Sequence, residues 1–204
     1  MSRAEIRPYG DADLDAVRDV CVRTAHVGED ARPFYPDPSI FPTAFSDPYV
    51  AFEPELAFVL DDGERAVGYV VGTADTPAFV RRFRGEWLPS VAARWPLTAG
   101  DTPTDAIVRL LHDPERMLLP ELTPYPAHLH VDLLPEVQGR GFGRALIGRF
   151  FGALAAQGVP AVHLGMVPAN VKARAFYDRL GFHEIAVSDQ PTTYLGQKID
   201  SAIR

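Results

Sequence analysis

The sequence predicts an α/β protein, more narrowly α+β, with a central mixed and mostly antiparallel sheet and helices on both faces. Two observations support this fold class. Residues 56–73 contain two β-rich runs joined by a short Asp- and Gly-containing loop, which is typical of an antiparallel hairpin. Residues 127–180 alternate strand, helix, strand and helix, the pattern of a parallel pair with its crossover. One sheet that contains both units must be mixed.

The composition indicates a single globular domain over residues 1–204, because 47% of the residues are hydrophobic and 23% are charged. The sequence shows no apolar signal stretch, and no run approaches the ~18 uncharged residues that span a bilayer. We therefore expect a cytoplasmic protein without membrane contact. The net charge of −7 argues against nucleic-acid binding. The single cysteine, Cys21, lies on the apolar face of a predicted helix and is expected in the core.

The remaining segments complete the predicted order of elements. A strand near residues 5–8 leads into a helix capped by Asp11. The proline-rich residues 30–54 predict an ordered loop with one short helical turn. Residues 76–126 predict an insertion with two helical stretches, near 78–94 and 104–112, and a last strand is expected near 192–196.

The clearest chemical signal is the turn between the strand at 127–134 and the helix that follows it. Three of the five residues from 139 to 143 are glycines, so backbone N–H groups can point inward without a Cβ in the way. The helix that begins there adds partial positive charge, and Arg140 and Arg144 bracket the turn. The pattern predicts a pyrophosphate site, although glycines also serve in a tight strand-to-helix turn.

Two other phosphate-binding motifs fit this turn poorly. A dinucleotide fingerprint requires Gly-x-Gly-x-x-Gly, whereas here the third glycine comes one position early and no acid ends the strand at 161–167. A P-loop requires Gly-Lys-Ser/Thr, and the sequence has Gly143-Arg144-Ala145. Nicotinamide dinucleotides and nucleoside triphosphates are therefore disfavoured.

Residues 135–143, Pro-Glu-Val-Gln-Gly-Arg-Gly-Phe-Gly, resemble the acetyl-CoA loop of the GCN5-related N-acetyltransferases, the GNAT family. Residues 170–182 resemble the second motif of that family, in the family's order and spacing. The resemblance implies the GNAT fold, with a sheet splayed between the strands near 127–134 and 161–167. It also implies transfer of an acetyl group from acetyl-CoA, the cosubstrate, to a primary amine by direct attack in a ternary complex, without a metal.

A narrower similarity connects the chain with the acetyltransferase-like C-terminal domain of O-GlcNAcases. Residues 6–9, 34–61 and 67–75 carry it, together with Pro89. The CoA loop is degraded in that domain, whereas this sequence retains it. The similarity leaves open an inactive acetyl-CoA-binding or protein-interaction module, but the retained loop favours an enzyme.

The resemblance also implies which residues hold acetyl-CoA. In the family the pantetheine arm lies between the splayed strands, where the backbone amides of Leu133 and Leu134 would pair with it as an added strand does. Asn170 would cap the helix of the second motif and also lie near the cofactor. The residues assigned to the cofactor in this way are Leu133, Leu134, Gln138, Gly139, Arg140, Gly141, Phe142, Gly143, Arg144, Asn170, Ala173, Phe176 and Tyr177.

The resemblance assigns Tyr177 as the general acid that protonates the departing thiolate, since a phenol with an ordinary pKa of about 10 is protonated at neutral pH. The general base is less defined. Alternation along the strand places His128, His130 and Asp132 on one face, and Asp75 ends the hairpin. We expect Asp132, His130, Asp75 or a water relay to take the proton of the amine. A strand histidine or a helix tyrosine is also common in protein cores.

The acceptor is not specified by a motif. Residues 30–54 and 76–126 would form its wall, and the acidic balance favours a cationic amine. The sequence leaves a homodimer open.

Overall fold

The chain forms one seven-stranded sheet within residues 4–188 and 191–199, the ranges that the computed structural model describes. The strands are β1 Glu5–Pro8, β2 Phe58–Asp61, β3 Ala66–Thr73, β4 Ala127–Leu133, β5 Ala161–Met166, β6 His183–Ile185 and β7 Thr193–Lys198. Their order across the sheet is β1-β2-β3-β4-β5-β7-β6. All neighbours are antiparallel except β4 and β5. The predicted mixed, mostly antiparallel sheet is confirmed.

β4 and β5 diverge soon after they begin. β4 pairs with β3 along its length from His128 to Leu133. It pairs with β5 only at Ala127 and His128, opposite Val162 and His163. The two strands are therefore separated toward their C-terminal ends, which is the predicted splay.

Helices cover both faces of the sheet. They are α1 Leu14–Thr24, α2 Ile40–Phe45, α3 Asp47–Phe52, α4 Thr76–Arg82, α5 Leu88–Val91, α6 Pro103–His112, α7 Phe142–Ala156 and α8 Val171–Leu180. Tyr49 of α3 contacts His128 on one face of β4. On the other face, Phe150 of α7 fills the space over Gly72, the cross-strand partner of Leu129. Helices α1 and α3 thus pack on the face that carries the histidines, and α7 packs on the opposite face.

The core is continuous on both faces. Phe79, Phe150 and Tyr69 are among its largest fully buried side chains.

Cys21 is 3% exposed, as expected of a core residue, and burial raises the pKa of its thiol. No helix in the described part of the chain is long and apolar enough to cross a bilayer.

Three elements differ from the sequence prediction. Residues 30–54 form two short helices, α2 and α3, because Pro42 and Pro48 lie in first turns, where a missing N–H costs no helical hydrogen bond. The first helix begins at Leu14 because residues 11–13 form a 3₁₀ turn before it. The short strand β6 gave no periodic signal and was missed, since it exists only by pairing with β7.

Candidate active site

The glycine turn follows β4 and leads directly into α7. Gly139 and Gly141 have φ angles of 72° and 85°, a left-handed conformation that side-chain-bearing residues rarely adopt. A Cβ built on either glycine meets no heavy atom within 4 Å. The backbone conformation therefore requires both glycines, and the space beside them is open to a ligand.

The N-terminus of α7 has no capping side chain. The first helical bond comes from the N–H of Ala145, which donates to the carbonyl of Gly141 at 3.1 Å. The N–H groups of Phe142 and Gly143 therefore have no intrahelical acceptor. The 15-residue helix adds partial positive charge at this end. These features suit a pyrophosphate.

Two arginines flank this anion site. Arg140 is exposed, and its guanidinium carbon lies 5.2 Å from the ring centre of Phe142. Arg144 is exposed on the first turn of α7. In a chain of net charge −7, these side chains supply positive charge where an anion would sit.

Gly143 has a different role from the other two glycines. A Cβ on Gly143 would lie 2.9 Å from Cζ of Phe176 and 3.4 Å from Cδ1 of Leu133. The missing side chain therefore lets α8 pack closely against the start of α7. Phe176 occupies the space beside the Gly143 Cα, so only the backbone N–H of Gly143 is available to a ligand.

The backbone groups of Leu133 and Leu134 face opposite sides of β4. The N–H of Leu134 donates to the carbonyl of Val67 at 3.0 Å, which extends the ladder with β3. Successive residues of an antiparallel ladder direct their backbone groups to opposite sides, so those of Leu133 and Val131 point toward the gap. The Leu134 amide was expected to be unpaired and available to pantetheine, but it is already paired with β3. Val131 was not among the predicted residues, and only the bonding register shows that its backbone groups face the gap.

Gln138 lies next to the same gap. Its side-chain amide donates to the carbonyl of Leu133 at 2.8 Å. The Leu133 carbonyl keeps a second lone pair, and its N–H is directed into the gap. The glycine turn is thus tied to the last residue of β4.

Helix α8 begins at the predicted cap. Asn170 Oδ1 accepts a hydrogen bond from the N–H of Ala173 at 3.0 Å, which confirms its capping role. Its Nδ2 lies 3.6 Å from the position of a Cβ on Gly28, so the loop after α1 approaches the start of α8. Ala173 and Phe176 are half-buried on this helix.

Tyr177 is buried on α8 with 8% exposure, and its ring lies 5.4 Å from that of Phe182. Burial raises the pKa of the Tyr177 phenol, and the negative charge of Asp132 acts in the same direction. The phenol is therefore protonated at neutral pH. The effect of Asp132 also shows that this carboxylate and the phenol share one electrostatic environment.

Asp132 is half-buried and accepts a hydrogen bond from the hydroxyl of Tyr69 at 2.6 Å. Its removal from water raises the pKa of this carboxyl, whereas the hydrogen bond from Tyr69 and the nearby hydroxyl of Thr24 lower it. The removal from water is the largest of these effects. Asp132 therefore lies in a confined polar site between α1 and β4.

The two histidines of β4 share one partner. The Tyr49 hydroxyl lies 2.8 Å from Nε2 of His128 and 3.1 Å from Nε2 of His130. Burial lowers the pKa of His128, and it lowers the pKa of His130 to about 4. Both rings are therefore neutral at physiological pH.

Asp75 lies apart from these groups. It follows β3 next to the start of β4, whereas the glycine turn follows the end of β4. Its Oδ1 accepts the N–H of Ala78 at 2.8 Å and caps α4. Asp75 also lines, with Thr76 and His163, a cleft of about 520 Å³. Tyr177 and Asp132 therefore interact electrostatically, His130 lies two residues before Asp132 on β4, and Asp75 lies at the other end of that strand.

Arg116 is a cation that the sequence pattern did not single out. It lies in a 3₁₀ turn of the 76–126 insertion, and its buried Nε has no hydrogen-bond partner within the described ranges. Its positive charge adds to the lowering of the pKa of His128 and of His130 that burial causes, and it opposes the rise that burial causes in the pKa of Tyr49. The insertion therefore contributes a positive charge to the face of β4. No local sequence motif indicated that Arg116 has this position.

Aromatic side chains of the 30–54 segment cover the same face. Phe45 lies 5.8 Å from His130 between ring centres, and contacts between rings continue through Phe41 to Tyr35. Phe34, 54% exposed, stacks on His26 at 3.9 Å. This aromatic wall runs from the surface to His130. Within the described residues no group of three or more His, Cys, Asp or Glu is arranged to hold a metal.

Comparison with known proteins agrees with this geometry. The family model described as Acetyltransferase (GNAT) family matches residues 24–182. The crystal structure of a protein called SsHAT is 62% identical, with a TM-score of 0.93, over 96% of this chain and 98% of that one. The structure of yncA from Salmonella typhimurium with its cofactor acetyl-CoA is 17% identical, with a TM-score of 0.55, over 98% of this chain and 96% of that one. The second likeness shows the fold alone.

Curated relatives match over different lengths. Protein O-GlcNAcase of Rattus norvegicus is 25% identical over 89% of this chain, but the match spans only 20% of that protein. Mycothiol acetyltransferase of Beutenbergia cavernae is 46% identical over 56 residues, 28% of this chain and 19% of that protein.

Proposed function

Because the chain belongs to the Acetyltransferase (GNAT) family, we propose that it transfers the acetyl group of acetyl-CoA to a primary amine by direct attack in a ternary complex. One observation carries this proposal. An uncapped helix N-terminus behind two left-handed glycines adjoins the gap between β4 and β5, and a buried tyrosine on α8 interacts electrostatically with Asp132 of β4. This arrangement offers a pyrophosphate site, a backbone edge and a proton donor in the order in which an acyl-CoA extends.

We assign the binding of acetyl-CoA mainly to backbone groups. The N–H groups at the start of α7, with Arg140 and Arg144, would hold the pyrophosphate. The backbone groups of Leu133 and Val131 would pair with pantetheine in the manner of an added strand. Side-chain identity matters little at such positions, so ordinary apolar residues suffice there.

We assign the role of general acid to Tyr177. A buried phenol near a negative charge stays protonated at neutral pH, so its proton is available to the negative charge that develops on the departing sulfur. The amine would approach across the face of β4 that carries Asp132 and His130. Asp132 would attract a cationic amine, which agrees with the acidic balance of the chain.

An inert acetyl-CoA-binding module is the second candidate, and it is less well supported. A module that only binds has no need of a proton donor, whereas the role proposed for the buried Tyr177 would supply one.

Ligand selectivity tests the donor site. Acetyl-CoA at about 100 times its dissociation constant is expected to stabilise the folded protein by about 2.7 kcal/mol, which raises the melting temperature by about 5–10 °C. NAD, NADP and ATP at the same concentration should give no comparable shift, because the turn lacks the ribose-reading acid and the Lys-Ser/Thr pair. Differential scanning fluorimetry measures both. A larger shift with any of these nucleotides than with acetyl-CoA would contradict the assignment of the turn.

A further inference from the structure

A chain of hydrogen bonds connects His130 with the opposite end of β4. The Tyr49 hydroxyl bridges Nε2 of His130, at 3.1 Å, and Nε2 of His128, at 2.8 Å. Nδ1 of His128 lies 2.8 Å from the hydroxyl of Thr76. Thr76 lines the cleft of about 520 Å³, whereas His130 is half-buried beside Phe45 on the side of Asp132. The chain thus joins the amine side of the site to a separate cleft.

The hydrogen bonds of this chain have one consistent direction. Thr76 donates its hydroxyl proton to the carbonyl of Pro126 at 2.8 Å, so its oxygen accepts from Nδ1–H of His128. Nε2 of His128 then holds a lone pair and accepts the O–H of Tyr49. The Tyr49 oxygen in turn accepts from Nε2–H of His130. Nδ1 of His130 makes no hydrogen bond with a described residue and holds the remaining lone pair.

Such a chain can conduct a proton only if the His128 and His130 rings are neutral, because a neutral ring has a lone pair that can accept one. Burial lowers the pKa of His128 and that of His130, and the charge of Arg116 acts in the same direction. A ring of such low basicity does not store a proton at neutral pH, so it can accept one only while it gives another away. We infer that the chain from His130 through Tyr49 and His128 to Thr76 relays the proton of the acceptor amine to water in the cleft. The inference rests on the proposed acetyl transfer.

Each member of the relay accepts one proton and gives one. The ammonium form of the acceptor first loses one proton to water, which leaves a lone pair on nitrogen. As this nitrogen bonds to the acetyl carbon, Nδ1 of His130 takes a second proton from it and Nε2 passes its own to Tyr49. Tyr49 protonates Nε2 of His128, whose Nδ1 proton goes to Thr76. The Thr76 hydroxyl turns from the Pro126 carbonyl and releases its own proton to water in the cleft. The C–S bond breaks with its electron pair on sulfur, which Tyr177 protonates. The relay groups end neutral, and the Tyr177 phenolate takes back a proton from water. Proton exchange with water at both ends of the relay restores the starting tautomers after product release.

Tyr49→Phe tests the relay because it removes the shared hydroxyl and keeps the ring that stacks on Phe79 at 4.3 Å. In buffer of low proton-accepting capacity we expect kcat to fall roughly 10- to 100-fold, at or below the ~10² lower limit for a general acid or base. The KM for acetyl-CoA should be unchanged. Added imidazole should restore much of the rate, because it accepts the proton directly. A packing defect would not respond to imidazole.

Two further variants control this experiment. Tyr9→Phe makes the same chemical change after β1, outside the chain of hydrogen bonds, and should show neither the loss nor the imidazole response. Thr76→Val removes the hydroxyl at the cleft end of the relay, so it should show the same loss of kcat and the same rescue by imidazole as Tyr49→Phe. It replaces Tyr49→Phe in the test if that variant does not fold. In the wild type, ¹⁵N spectra should show the ring proton on Nδ1 of His128 and on Nε2 of His130.

The outcomes separate the relay from the proposed function. Turnover of folded Tyr49→Phe equal to that of the wild type in every buffer, or the opposite ring tautomers, would overturn the relay alone. A wild type that binds acetyl-CoA but acetylates no amine would overturn the proposed function, and the relay with it.

Discussion

Tyr177→Phe is expected to lower turnover by about 10²-fold, the lower end of the ~10² to 10⁴ range for a lost general acid. The lower end applies because a thiolate is already a fair leaving group. The substitution keeps the ring that packs against Phe182 and Phe176, so folding and the KM for acetyl-CoA should change little. Steady-state rates with an amine that the wild type accepts, measured across pH, provide the test.

Tyr9→Phe serves as the matched control, since it removes a phenolic hydroxyl from a half-buried ring outside the site. It should leave kcat unchanged. Equal rates for Tyr177→Phe and the wild type at every pH would show that Tyr177 is a packing residue of α8 and not the acid.

Gly141→Val should abolish the rise in melting temperature that acetyl-CoA causes. The φ of 85° disfavours a β-branched residue, which costs about 1–3 kcal/mol, and the new side chain would occupy the open space beside the turn. Both effects displace the backbone N–H groups from a pyrophosphate. Melting curves with and without acetyl-CoA separate the loss of binding from the loss of basal stability.

Gly148→Val provides the comparison within the same helix. Gly148 is exposed, has no strained φ, and a Cβ there meets no heavy atom within 4 Å. This variant should keep the full response to acetyl-CoA. A folded Gly141→Val protein with an unchanged response would remove the glycine turn from the donor site.

Local signals predicted the part of the site that depends on backbone conformation. Left-handed φ angles at Gly139 and Gly141 and the cap at Asn170 follow from residue type and spacing alone. The alternation of β4 likewise placed His128, His130 and Asp132 on one face. These features are encoded within a few residues of each other.

Tertiary packing decided the remainder. Tyr49 and Arg116 come from two proline-rich segments, and nothing in their neighbourhoods indicates that they meet the histidines of β4. The bonding register of β4 against β3 assigns Leu134 to the ladder and Leu133 to the gap, and a one-residue difference of this kind has no sequence signal. Gly143 shares a motif with Gly141 but serves packing against Phe176.

Release of free thiol from acetyl-CoA, measured together with acetylation of a panel of primary amines by mass spectrometry, tests the central claim most directly. The proposed function predicts that at least one amine elicits thiol release in equal amount to its N-acetylated product, and that omission of the amine abolishes the release. Binding of acetyl-CoA with neither thiol release nor an acetylated amine would contradict it and would favour the inert module.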